Sequence, residues 1–346
     1  MPKMIKNCFY DKLTFENFLE AHKRARKNKT NKKELLKFEV DLETNIINIM
    51  RQLKSGNYSL GKYRVFTIYE SKERIIKCLP YKDRIVQQWY IHEFIKPYII
   101  PRLINTTCAC IDNKGTHYAV NLVEKYMRIM KRDYLEYYIL KLDIKKYFYN
   151  IDKDILFDIM SEYISDKRLL ELTAIFIYDS DDKVGIPIGN YTSQYFANIY
   201  LDKLDKYIKE DLNIKYYVRY MDDMVILLPT KDDCIVIMNR VKKFVSDRLN
   251  LDLNKKSRYY PSRLGVNFCG YRIFETHRLL RVGSKQKIKR KIKMWEDLYK
   301  REILDRKKVK LSLNSWVAHS SHANTYRLQC KIKEKINNLG KDIGKK

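Results

Sequence analysis

Between Lys215 and Pro229 the chain reads KYYVRYMDDMVILLP, two apolar runs with a pair of acids, Asp222 and Asp223, set between them. Strand side chains alternate between faces, and two such runs joined by a short polar step form a hairpin. The acids therefore stand at a hairpin apex whose flanks are destined for a core. A third acid, Asp143, ends the apolar run of EYYILKLDI. Charges beside buried strands are costly unless they are paired or metal-bound. Asp is also a common turn residue, and taken alone the pair reads as a polar turn before it reads as a metal site.

A divalent metal is the economical explanation for carboxylates meeting from two strands. Mg²⁺ prefers hard oxygen ligands and leaves positions for water or substrate phosphates. Two such ions about 4 Å apart activate an attacking hydroxyl and stabilise a leaving pyrophosphate.

Composition narrows the partner. The 346 residues allow two domains or one large lobed one at about 150 residues each. A net charge of +28 accompanies 45% hydrophobic residues, so the charge sits on a packed core, and a disordered basic tail protein is excluded. Nucleic acid is the expected partner; a compositional bias toward Lys, Asn, Ile and Tyr is the alternative. No run reaches the roughly 18 apolar residues of a membrane helix, and MPKMIKNCFYDKL lacks a signal-peptide core. A cytoplasmic protein with no membrane partner is expected. The seven cysteines lack CxxC spacing, suggesting neither disulfides nor zinc.

Residues 12–55 read as helix with a basic interruption, AHKRARKNKTNKK, where Lys23, Arg24, Arg26 and Lys27 are candidates for nucleic-acid contact. YRVFTIYESKERIIKCLP reads as a hairpin, KDRIVQQWYIHEFIKPYI as a helix ended by Pro97 and Pro101, and IDKDILFDIMSEYI as a helix opened by Asp152. SQYFANIYLDKLDKYI is a helix that Ser193 can cap. A helix over 232–249 precedes short strands ending in NFCGYRIF, and the tail from Lys285 is helical with net charge +13.

In this setting the sequence resembles a reverse transcriptase. Tyr220-Met221-Asp222-Asp223 looks like the family's YxDD box and LDIKKYFYNID like its first-aspartate motif. ERIIKCLPYKDRIVQQ, GIPIGNYTSQYFANIYLDKLD, LNKKS and NFCGYRIF follow the family's order. The resemblance implies an α+β right-hand polymerase, with an antiparallel palm sheet packed on helices and a helical thumb. Its parts would be a helical basic extension over 1–55, fingers over 56–136, palm over 137–275 with finger-contributing helices, and thumb over 276–346. It also implies that Asp143, Asp222 and Asp223 hold two Mg²⁺ ions and carry catalysis.

Phe148, five residues past Asp143, matches the steric-gate position that excludes a ribose 2′-OH; its bland role is a palm core aromatic. Lys72 and Arg74 match the positions that grip the incoming deoxynucleoside triphosphate. Ile188, Gly189 and Gln194 would border the nucleotide or template base, and Lys256 matches the basic residue after the palm helix. Gly270 falls in the primer-grip hairpin, where a missing side chain permits close approach. Arg84 fits a local ion pair better than a substrate contact. Lys285, Lys287, Lys289 and Arg290 would face template RNA and the RNA–DNA hybrid.

Ile188-Gly189-Asn190-Tyr191-Thr192-Ser193-Gln194 looks like the IGxxxSQ form of diversity-generating retroelement reverse transcriptases, in place of the commoner QGxxxSP. Lys114-Gly115-Thr116-His117 fits the same subfamily, although Ile111 stands where an Arg is usual. That subfamily implies error-prone copying of a template-repeat RNA, with misincorporation opposite adenine, to diversify a target gene. It also implies an oligomeric accessory variability protein as partner. A group II intron-like, retron or abortive-infection enzyme is the alternative within the class, and a non-catalytic RNA-binding scaffold the alternative outside it. Trp316, with His319 and His322 nearby, fits thumb packing better than base stacking.

Overall fold

The computed structural model describes residues 4–29, 32–69 and 73–341. Short α1 (Phe9–Lys12) leads into α2 (Phe15–Arg26), α3 (Lys33–Val40) and α4 (Leu42–Ser55). The helix expected over 12–55 is thus three helices. Asn28 takes a left-handed φ of 62°, which an α-helix cannot continue through, and Asp41 separates α3 from α4. Next come β1 (Arg64–Tyr69), β2 (Glu73–Cys78), α5 (Tyr81–Tyr90), α6 (Lys96–Tyr98) and α7 (Thr116–Asp133). A π-turn over Ile91–Ile95 joins α5 to α6, and Pro97 sits in the first turn of α6.

Onward run β3 (Tyr138–Asp143), α8 (Tyr147–Asn150), α9 (Lys153–Ser161), α10 (Lys167–Ile177), α11 (Tyr191–Tyr200) and α12 (Asp202–Lys206). Asp152 caps α9 as expected, accepting from the N–H groups of Asp154 and Ile155. Ser193 does not cap α11. The cap position is Asn190, and Ser193 is buried inside the helix. The chain closes with β4 (Tyr217–Tyr220), β5 (Asp223–Leu228), α13 (Lys231–Leu249), β6 (Arg258–Pro261), β7 (Val266–Phe268), β8 (Tyr271–Ile273), β9 (Arg278–Leu280), α14 (Val282–Lys300), α15 (Arg306–Ser320) and α16 (Tyr326–Lys341). Among the described residues, no helix is long and apolar enough to cross a membrane.

By internal contacts the chain divides into two compact units. The first holds the described residues of Met1–Asp112, with Leu142–Lys215 and Ile237–Ser257. Its core centres on fully buried Trp89, which stacks on Phe18 at 4.9 Å and donates its indole N–H to the Lys12 carbonyl at 2.8 Å. The β1–β2 hairpin projects from this unit with Tyr69 opposite Glu73. Every residue of β1 is exposed, the apolar Val65, Phe66 and Ile68 among them.

The second unit holds Asn113–Lys141 and Tyr216–Val236, with the described residues of Arg258–Lys346. Its main sheet has the order β4-β5-β3-β6, with β4 antiparallel to β5 and β3 antiparallel to β6. The alternation of β4 and β5 is not amphipathic: Tyr217–Arg219 and Met224–Leu228 are buried throughout, as in a sheet covered on both faces. A three-stranded antiparallel sheet, β7-β8-β9, precedes the three basic helices. Those helices close on Ile288, Ile292, Trp295, Val309 and Ile332. Trp316 packs against this cluster, as expected.

Candidate active site

In the second unit, β4 and β5 pair so closely that Tyr220 lies opposite Asp223, leaving Met221 and Asp222 as the turn. Met221 takes a left-handed φ of 55°, a strained state for a non-glycine residue that persists only when its surroundings enforce it. Arg219, fully buried, supplies that enforcement by donating to the Met221 carbonyl at 3.1 Å. The apex is therefore held from beneath, and Asp222 and Asp223 are left half-buried at its rim. Lys141 on β3 contacts the Asp223 carboxylate, and its ammonium lies 4.7 Å from the centre of the Phe268 ring. No sequence pattern singles out Arg219 or Lys141, because strand neighbours are not written in a single strand.

Phe268 opens the turn to Tyr271, in which Cys269 and Gly270 have φ of 46° and 90°. Two left-handed residues between paired strands are the signature of a tight hairpin turn. A Cβ on Gly270 would meet the His319 ring at 3.3 Å, so the glycine admits this α15 side chain closely. His319 shares hydrogen bonds with the Tyr271 hydroxyl, and His117 stacks on His322 with ring centres 3.7 Å apart. Burial, and then the neighbouring His322, lower the pKa of both His117 and His319. Along α14, Lys287, Lys289 and Arg290 are exposed and Lys285 half-buried.

In the first unit, Asp143 is fixed through its backbone. Its N–H donates to Ser257 Oγ at 3.1 Å, and its carbonyl accepts from the Asn254 N–H at 2.7 Å. Asn254 in turn accepts from the N–H of exposed Lys256 at 3.1 Å, so Asp143 and Lys256 share one braced corner. Phe148 and Tyr147 separate cleanly. Tyr147 is buried and donates its hydroxyl to the Ala197 carbonyl, whereas Phe148 is half-exposed. The Phe148 carbonyl accepts from the Ile186 N–H at 2.8 Å, joining α8 to the segment that carries Ile188.

That segment is tied to the β1–β2 hairpin. The Lys77 N–H donates to the Ile188 carbonyl at 2.9 Å. Gly189 has φ of 125°, and a Cβ there would stand 2.6 Å from the Lys77 carbonyl, so only glycine fits. Asn190 donates to the Tyr63 hydroxyl at 2.7 Å, and the Tyr191 N–H donates to Gln87 at 3.1 Å. Gln194 is exposed on α11 against the Cys110 thiol at 3.3 Å. Arg74 is exposed on β2; Lys72 lies outside the described residues. Arg84 pairs with Glu34 of α3 at 3.2 Å, an ion pair across 50 positions and not the local one expected. In the basic interruption, Lys23 is met by Glu20 at 2.6 Å and Arg26 by Glu39 at 3.0 Å, so part of that charge is neutralised within the fold. Lys27 is exposed and Arg24 half-buried.

The donor chemistry fits a hard divalent cation. Asp222 and Asp223 in the second unit, and separately Asp143 in the first, are half-buried carboxylates at strand ends, and the Lys141 ammonium against Asp223 stands in for a cation at the apex. Among the described residues, no three His, Cys, Asp or Glu side chains form a ready-made metal cage. Mg²⁺ does not require one, since one or two carboxylates with water and substrate phosphates complete its shell.

The family described as "Reverse transcriptase (RNA-dependent DNA polymerase)" matches residues 60–273. The putative COX1/OXI3 intron 2 protein of Saccharomyces cerevisiae is 25% identical, with 41% of this chain and 25% of that protein covered. The chain thus spans about a quarter of that relative's length. Among solved structures, apo telomerase from Candida tropicalis, truncated from its C-terminal domain, aligns with a TM-score of 0.47 and 13% identity over 68% of this chain and 60% of that one. Telomerase from Candida albicans, in complex with a TWJ fragment of telomeric RNA, aligns with a TM-score of 0.48 and 11% identity over 76% and 56%.

Proposed function

The chain belongs to the reverse transcriptase (RNA-dependent DNA polymerase) family, and from that premise we propose that it extends a primer on an RNA template with deoxynucleoside triphosphates. The observation that carries this reading is the apex itself. A buried arginine holds a strained turn so that two carboxylates stand at its rim, an arrangement of no use to a merely structural hairpin. Asp143, Asp222 and Asp223 would hold two Mg²⁺ ions, which when bound activate the primer hydroxyl and stabilise the departing pyrophosphate.

The remaining residues bind and orient. Phe148 would close the space a ribose 2′-OH needs, while Lys72, Arg74 and Lys256 would offset triphosphate charge. Gly189 would let backbone approach the nascent pair, with Ile188 and Gln194 beside it. The Gly270 turn would grip the primer end. Lys23, Arg24, Arg26 and Lys27, with Lys285, Lys287, Lys289 and Arg290, would run along template RNA and hybrid. In this reading residues 56–136 act as fingers, 137–275 as palm and 276–346 as thumb, behind the 1–55 extension.

Within the family we place the chain with the diversity-generating enzymes, on the IGxxxSQ block at Ile188–Gln194. It would then copy a template repeat with errors at adenines, together with an oligomeric accessory protein. An intron-encoded enzyme is a second reading of equal weight, favoured by the similarity to the yeast intron 2 protein. Primer extension on RNA with Mg²⁺ tests the common chemistry: Asp222→Asn is expected to abolish synthesis and keep RNA binding. Extension that survives this change overturns the assignment. Sequencing the cDNA separates the two subclasses, since only the diversity-generating type concentrates errors opposite adenine.

A further inference from the structure

The polymerase reading leaves Lys141 without a task. It precedes Asp143 by two residues on β3, so strand alternation turns both side chains to one face. Its side chain is only 16% exposed, with the ammonium against the Asp223 carboxylate and near the Phe268 ring face. Holding a lysine in one partly desolvated place costs side-chain entropy and hydration. The contact offsets this by neutralising one of two adjacent acids that would otherwise repel each other across the turn.

We propose that Lys141 is the resident counter-ion of Asp223: it holds that carboxylate in the metal-free protein and must yield the oxygen when a divalent cation binds. The proposal rests on the reading of Asp223 as a metal ligand. A carboxylate oxygen engaged by an ammonium is open to a metal only when the ammonium withdraws, so loading becomes a competition between two cations. Phe268 gives the displaced ammonium somewhere to go, because a ring face attracts a cation and this one already lies within reach. Lys141 is thus a positioning residue that sets how readily the site fills. Phe268 sits directly before the Cys269–Gly270 turn, so the ammonium withdraws toward the hairpin assigned to the primer end.

The full-length protein, free of nucleic acid and nucleotide, is titrated with Mn²⁺ while the free ion is followed by electron paramagnetic resonance. Lys141→Met keeps the apolar stem and removes the charge; it is expected to bind Mn²⁺ about three- to fivefold more tightly, the worth of a partly exposed ion pair. It should also melt lower than wild type without metal and close that gap at saturating Mn²⁺. Lys141→Arg should bind more weakly than Lys141→Met. If Lys141→Met binds Mn²⁺ no more tightly than wild type, the counter-ion role is overturned. Phe268→Leu provides a second test should Lys141→Met fail to fold: losing the ring removes the alternative seat and is expected to weaken Mn²⁺ binding, and unchanged binding overturns the proposal. Asp223→Asn separates the two layers. Loss of Mn²⁺ binding there upholds Asp223 as a ligand whatever Lys141 does, whereas wild-type binding overturns that reading and the proposal with it.

Discussion

Lys153 and Asp179 meet at 3.0 Å with each side chain 1% exposed. The ammonium also donates to the Ser180 carbonyl at 3.2 Å and the Ser180 hydroxyl at 3.1 Å. Close by, burial and then the Asp179 carboxylate push the Tyr63 hydroxyl pKa far up, so it stays protonated and available to Asn190. A fully buried ion pair therefore lies behind the turn that carries Ile188 and Gly189.

Breaking that pair from one side strands a charge in the interior. Lys153→Met is expected to lower folding stability by about 3–5 kcal/mol, whereas Lys153→Met combined with Asp179→Leu should recover most of the loss. Urea unfolding of the two variants checks this; equal stability of the single variant and wild type would show that the pair contributes nothing.

Phe148 and Tyr147 give opposite expectations. Phe148→Val should let ribonucleoside triphosphates in, reducing discrimination against them at least about tenfold. Tyr147→Phe should leave discrimination unchanged and lower the melting temperature, because it deletes a buried hydrogen bond to Ala197. Steady-state incorporation of matched dNTP and rNTP pairs reads both.

In the proposed reading Ile188 borders the nascent pair, where a polar side chain would help position it and an aliphatic one does not. Ile188→Gln should lower misincorporation opposite template adenine while leaving the rate at other template bases near wild type. An unchanged error spectrum in sequenced cDNA removes the link between this residue and mutagenic copying.

Burial, reinforced by Lys96 and Arg24, holds the His92 imidazole down at about 4, against about 6.5 in an unfolded chain. The fold accommodates the neutral ring, whose Nε2 shares a hydrogen bond with the Tyr191 hydroxyl at 3.3 Å. As pH falls the unfolded chain takes the proton first, so this stability is whole above about 6.5 and drains away toward pH 4. Thermal melts between those limits should show a falling midpoint with a shallower slope in His92→Gln. His22, His117 and His319 are shifted the same way by burial, so part of the slope remains.

Much of this was legible in the chain because local pattern sufficed. The 64–78 hairpin, the Asp222-Asp223 apex, the Asp152 cap and the basic helices after Lys285 each follow from alternation, helical spacing or a cap residue. Two local expectations failed for local reasons. Asn28 adopts a conformation that no propensity separates from helix in so basic a run, and Asn190 takes the cap position where Ser193 also qualified. What the sequence withheld is long-range. Lys141 reaches Asp223 across 82 positions and His117 reaches His322 across 205, distances at which no periodicity carries information.

The exposed β1–β2 hairpin has a consequence at the bench. A two-stranded ribbon showing Val65, Phe66, Ile68 and Ile75 to water, with β1 at the edge of its sheet, is a template onto which another copy's strand can add. Concentrated protein should self-associate through this ribbon. Protein carrying Phe66→Lys should stay dispersed.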